Sequence, residues 1–259
     1  MKKLLLLFVP FLLMAQRPPA VPLVTNDPYF SIWSMTDQLN TETTRHWTGK
    51  PQALTSLARI DGVTYRLMGA PDRNDTTPPL PQQKLTVAPT QTTYDFNGAG
   101  VAISLVFATP FLPHDLEVLA RPASYLTWTA HSLDGKPHDV RIYIDASTDL
   151  VINTTDQPVA WSRLKTKGLS VLRAGSREQP ALAKTGDDLR IDWGYLYLAA
   201  PEHADLRESA NDRSITRADF AKSGAVTAED SFAEHNPRTR YNPVRNPVLA
   251  MSRCCPAVS

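Results

Sequence analysis

Between about Pro18 and Ala233 apolar and polar positions follow a period of two. Val101, Ile103, Leu105 and Phe107 alternate with Ala102, Ser104, Val106 and Ala108. Leu126, Trp128 and Ala130 alternate with Thr127, Thr129 and His131, and Val140, Ile142 and Ile144 with Arg141, Tyr143 and Asp145. Antiparallel strands with one face on a core carry this pattern. Leu189, Ile191, Trp193, Tyr195 and Tyr197 predict one face of a further strand. Asp61-Gly62 lies between two such runs, and a tight hairpin turn needs positive φ at both positions. Asn97-Gly98 and Asp134-Gly135 predict two more turns. The pattern implies an all-β fold, a large antiparallel β-sandwich of supersandwich type with few short helices. The proline-rich stretch Pro71 to Gln83 predicts a surface loop. Ser214 to Lys222 predicts the best helix, capped by Ser214.

The two ends break the pattern. Met1-Lys2-Lys3, the apolar run Leu4 to Met14 and the small residue Ala15 have the layout of a secretory signal peptide. The run is shorter than the roughly 20 residues that span a bilayer. Cleavage near Ala15 and a secreted or periplasmic location are therefore expected, without a membrane anchor. From Asn236 to Ser259 the chain is rich in Arg, Pro and Asn, has no acidic residue and carries the adjacent pair Cys254-Cys255 near its end. No period of 2 or 3.6 is read there, so the segment is expected to pack as no regular element. The resulting division is a leader at 1–15, an N-terminal segment at 16–80, a sandwich at 81–235 and an irregular, frame-shifted tail at 236–259.

Composition narrows the chemistry. Lys and Arg number 27 and Asp and Glu 26, a net charge of +1 that gives no whole-chain reason to bind nucleic acid. No nucleophile elbow, zinc-protease motif, phosphate loop or dinucleotide fingerprint is present. The sequence calls for no cofactor and no metal. Weaker constellations remain. Glu202-His203-Ala204-Asp205 gathers three titratable groups, Asp145 and Asp149 form a spaced carboxylate pair, and Glu229-Asp230 and Glu234-His235 cluster near the end of the body. Runs of this kind are more often solvated loops or turns than sites. Trp128 and Trp193 share a face with aliphatic residues and are expected in the core, whereas Trp47 has polar neighbours. Asn74 and Asn153 head glycosylation sequons.

Two strings carry a resemblance. Arg17 to Leu23 with Asn26-Asp27-Pro28-Tyr29-Phe30-Ser31-Ile32-Trp33-Ser34 is one. Leu39 through Thr43-Thr44-Arg45-His46-Trp47-Thr48-Gly49 to Leu57-Ala58-Arg59-Ile60-Asp61-Gly62 is the other. With Tyr125 to Trp128 and Asp134 to Val140, they resemble the secreted glutaminase A-like family of bacteria and filamentous fungi. The resemblance implies a sandwich followed by a large C-terminal helical toroid of six-hairpin glycosidase type. It also implies hydrolysis of L-glutamine to L-glutamate and ammonia. This chain leaves no room for the toroid, so the expected partner is that helical domain and the chain alone is expected to be inactive. No catalytic residue is carried over. The loop Asp37 to Thr48 is the expected reach toward a substrate or the partner domain, with Asp37, Arg45, His46 and Trp47 as contacts. A carbohydrate-binding module using Trp47 is one alternative, and a free-standing hydrolase using Asp145 with Asp149, or Glu202, His203 and Asp205, is another.

Overall fold

The computed structural model describes residues 19–72, 75–227, 229–231, 234–235 and 246–255. The leader Met1–Ala15 lies outside these. The strands are β1 (Val21–Asp27), β2 (Phe30–Ser34), β3 (Arg45–His46), β4 (Leu54–Ile60) and β5 (Val63–Met68). Next come β6 (Gln82–Ala88), β7 (Gln91–Gly98), β8 (Val101–Ala108), β9 (Tyr125–Ser132) and β10 (Val140–Ser147). The chain continues with β11 (Val159–Thr166), β12 (Leu169–Ser176), β13 (Leu196–Pro201), β14 (Arg207–Asp212), β15 (Glu234–His235) and β16 (Pro247–Cys254). Helices are short: α1 (Leu116–Leu119) and α2 (Arg213–Ser223). The fold is all-β. Its strands form sheets ordered β1-β2-β3, β14-β16-β10-β4-β5, β13-β12-β11-β15 and β6-β7-β8-β9. Every strand-to-strand ladder is antiparallel.

One apolar core joins all four sheets. It includes Val21 and Ile32, Ala58 and Ile60, Tyr94 and Phe96, Ile103 and Leu105, and Trp161 and Leu172. The β4–β10–β16 sheet is covered on both faces. Ile142 and Ile144 face the main core, while Tyr143 joins Leu57, Val248, Ala250 and Phe220 of α2 in a second cluster. Hence the strict apolar-in, polar-out alternation of a one-sided sheet lapses in the middle of this one.

The β4–β5 hairpin turns at Asp61 and Gly62, with φ of 48° and 90°. The turn expected at Asn97-Gly98 lies two residues on, at Ala99 and Gly100, because the β7–β8 ladder continues to Gly98↔Val101. Helix α2 starts one residue before the expected span. Its cap is Asp212, whose Oδ1 accepts from Ser214 N at 2.9 Å, rather than Ser214.

Two expectations fail outright. Leu189 to Tyr195 is not a strand, since β13 begins at Leu196. The polar members of that run are buried: Asp192 Oδ2 accepts from Gln157 Nε2 and Lys184 Nζ, both at 2.8 Å, and Arg190 N donates to Asn153 Oδ1 at 3.2 Å. These bonds turn the segment into a connection between loops and leave Trp193 37% exposed instead of in the core. The second failure is the tail. Residues 247–254 form β16, registered between β10 and β14 from Val248↔Ser147 to Cys254↔Arg141. Val248, Leu249, Ala250 and Met251 are all buried. A strand buried on both faces reads as a continuous apolar run, so a search for alternation passes over it. Residues 236–245 lie outside the described residues.

Candidate functional site

The sequence-selected loop divides. His46 and Trp47 meet at the β1–β2 turn, where Pro28 O accepts from Trp47 Nε1 at 2.6 Å and lies 3.0 Å from His46 Nε2. Thr48 N donates to His46 Nδ1 at 3.3 Å, which puts the imidazole proton on Nε2. His46 is fully buried, and burial, helped by nearby Arg190, lowers its pKa against the opposing pull of the Pro28 carbonyl. With both nitrogens engaged, the buried imidazole ties the β1–β2 turn to the segment that follows β3. Arg45 Nη1 donates to Gly49 O at 2.9 Å. Trp47 remains 49% exposed, its ring 5.5 Å from that of His46. Asp37 belongs to the preceding loop, where its carbonyl accepts from Gln82 Nε2 at 2.7 Å.

The first three residues of the run Glu202-His203-Ala204-Asp205 line a concavity. An open groove of about 440 Å³ is bounded by Lys165, Ser170, Glu202, His203, Leu206 and Glu208. Ser170 Oγ donates to Glu208 Oε2 at 2.8 Å, and Arg163 also bonds Glu208. The same guanidinium holds Asp230 through Nη2 at 2.8 Å and Nε at 3.2 Å. The Glu208 carboxylate is thus shared between the Ser170 hydroxyl and the Arg163 guanidinium, which ties β11, β12 and β14 together. His203 Nδ1 lies 3.4 Å from Asp205 Oδ2, with both side chains well exposed. Among the described residues no group of three or more His, Cys, Asp or Glu is placed to hold a metal ion. Glu234 and His235 contribute backbone pairing to β11, and their side chains lie outside the described residues.

Asp145 and Asp149 part company. Asp145 is wholly buried and chelated by Arg217, with Nε at 2.7 Å and Nη2 at 3.1 Å. The Tyr143 hydroxyl donates to it at 2.8 Å. Arg217 reaches on to Asp72 at 2.7 Å and Thr55 Oγ1 at 2.8 Å, and Arg213 also pairs with Asp72, at 2.9 Å. Two cations thus balance two carboxylates beneath α2. Asp149 sits in the short helical turn after β10, bonded by Ser147 Oγ at 3.0 Å.

One cluster was missed in the sequence because Asp61 stands 77 residues from His138 along the chain. His138 Nδ1 lies 2.6 Å from Asp61 and Nε2 3.0 Å from Asp134, so the β4–β5 turn and the β9–β10 loop are clipped together. Gly100 brings a third turn against the ring: a Cβ there would meet His138 Cε1 at 2.8 Å. Asp61 and then Asp134 raise the His138 pKa, while His138 lowers that of Asp61 and pulls Asp134 down to about 2. A raised histidine contributes stability that is complete below about pH 6.5 and fades as pH climbs through the folded-state value. The depressed aspartates contribute stability above about pH 4 that is lost on acidification. The stability gap between wild type and His138→Gln should therefore narrow from pH 6 to pH 9. Urea midpoints across that range measure it, and a gap that widens would refute the clip.

A family model described as "Domain of unknown function (DUF5127)" matches residues 90–258, through β16. The chain belongs to the DUF5127 family. A second model, "Domain of unknown function (DUF4964)", matches residues 13–77. The DUF5127 match and the register of β16 together overturn the expectation of a foreign, frame-shifted tail. Among curated proteins this DUF5127 chain is 27% identical to glutaminase A of Aspergillus oryzae over 92% of its own length and 34% of that protein's. It is 26% identical to a protein named probable glutaminase from Arthroderma benhamiae, covering 81% of this chain and 26% of that one. The resemblance to glutaminase A-like proteins therefore holds over nearly the whole chain, which spans about a third or less of these relatives.

Proposed function

We propose that this chain is the accessory β-sandwich of a secreted glutaminase-like amidohydrolase, supporting hydrolysis of L-glutamine rather than performing it. The observation that carries the reading is the extent of the similarity: nearly all of this chain corresponds to about a third of glutaminase A. The chemistry of its clusters agrees. Asp145 is committed to Arg217, Glu208 to Arg163, and His46 is buried and neutral. Groups engaged in this way hold loops in place and offer little to a reacting amide. In this reading Met1–Ala15 directs export and is removed, and the partner is a helical domain of six-hairpin type.

The test is ammonia release from L-glutamine. The purified chain alone is expected to give no turnover above the buffer rate. Mixed with, or fused to, the part of Aspergillus oryzae glutaminase A beyond the matched region, it should support measurable hydrolysis. Turnover by the chain alone, abolished by Ser170→Ala or Glu208→Gln, would overturn the accessory role.

A further inference from the structure

The outer face of the β11–β12–β13 sheet carries a group that none of the clusters above uses. In the ladders Arg173 stands opposite Tyr197 on one side and Ser162 on the other, so the three share a face. The Arg173 guanidinium lies 4.5 Å from the centroid of the Tyr195 ring, a cation–π distance. Its Nε donates to Ser162 Oγ at 3.1 Å. Tyr195 and Tyr197 are 48% and 53% exposed, with ring centroids 6.3 Å apart. Tyr195 lies down on β12 because residue 175 is glycine: a Cβ there would sit 2.6 Å from Tyr195 Cδ1. The two terminal nitrogens of Arg173 have no acidic partner among the described residues. The guanidinium is therefore fixed in place, charged and still able to donate from its fork.

A planar fork with two free nitrogens matches a carboxylate. The exposed tyrosine rings beside it on the β13 side match flat, partly apolar rings such as those of sugars. We propose that this face binds a carboxylated polysaccharide, a polyuronate, with Arg173 taking a carboxylate and Tyr195 and Tyr197 contacting neighbouring sugar rings. An acidic peptide suits the site less well. Such a peptide would add to the free edge of β13, whereas Arg173 stands on β12, one strand spacing of about 4.8 Å inside that edge. Net charge alone does not account for binding, because the whole chain carries only +1. The inference is independent of whether the chain takes part in glutamine hydrolysis.

Native gel electrophoresis with embedded ligand tests it. Sodium polygalacturonate should retard the full chain, while neutral galactan should not. Arg173→Gln should weaken the apparent affinity at least ten-fold, Arg173→Lys nearly as much, and Tyr197→Ala several-fold, all with wild-type melting temperatures. Absence of retardation by polygalacturonate would overturn the proposal. Retardation of Arg173→Gln and of Tyr197→Ala equal to that of the wild type would do so as well. Stronger retention by poly-L-glutamate than by polygalacturonate would reassign the face to an acidic peptide and likewise defeat it.

Discussion

Arg217→Met should lower the unfolding free energy by about 3–5 kcal/mol, the usual effect of removing one partner from a buried ion pair. For a chain of this size that is on the order of 10 °C in Tm. Methionine keeps much of the apolar stem and removes the charge, so packing loss adds little. What remains is a fully buried Asp145 that retains only the Tyr143 hydroxyl of its three side-chain donors. Asp72 loses one of its two arginines as well. The double variant Arg217→Met/Asp145→Leu should recover part of the loss, because the stranded charge is then gone. Arg217→Lys should fall between, since an ammonium does not grip both oxygens of Asp145 while also reaching Asp72 and Thr55. Urea unfolding gives the free energies, and hydrogen exchange at 213–223 reports whether α2 loosens first. A single variant within 1 kcal/mol of wild type would show that the network is not what fastens α2 to the sheet.

The parts of the fold that were legible in the sequence are those governed by local rules. β8, β9 and β10 follow alternating runs, and the β4–β5 turn follows Asp61-Gly62, because pleat and turn geometry act on adjacent residues. The parts that were not legible depend on what lies across a sheet. β16 is apolar at every position from Val248 to Met251 because α2 covers one face and the main core the other. Leu189 to Tyr195 alternates as a strand would, yet Arg190 and Asp192 are drawn inward by Asn153, Gln157 and Lys184, residues of other loops. The candidate sites divide in the same way. The groove around Glu202 and His203 was visible as a local cluster of titratable residues. The His138–Asp61 pair, the contacts of Arg217 with Asp145, Asp72 and Thr55, and the Arg173–Tyr195 stack join positions between 22 and 162 residues apart, and no spacing rule reaches them. His46 shows the reverse case: Arg45-His46-Trp47 stands in a polar stretch, yet the β1–β2 turn closes over the imidazole.

A chain ending at residue 235 should fail to fold, although the sequence pattern alone places the end of the sandwich there. β16 pairs with β10 along one edge and β14 along the other, so its loss splits the sheet and strips the backbone partners from both neighbours. It also removes Val248, Leu249 and Met251 from two buried clusters. At about 1.5–3 kcal/mol for each large side chain, the lost burial alone is of the same order as the total stability of an ordinary domain. The shortened chain should lose near-UV circular dichroism and a cooperative urea transition, and a peptide spanning 246–255 should restore part of both. Cooperative unfolding of the shortened chain at the wild-type midpoint would mean that β16 only decorates a sheet already complete. The expected failure places the interior strand β16 within the folding unit, beyond the last alternating run, because a strand between two neighbours closes the sheet wherever it falls in the chain.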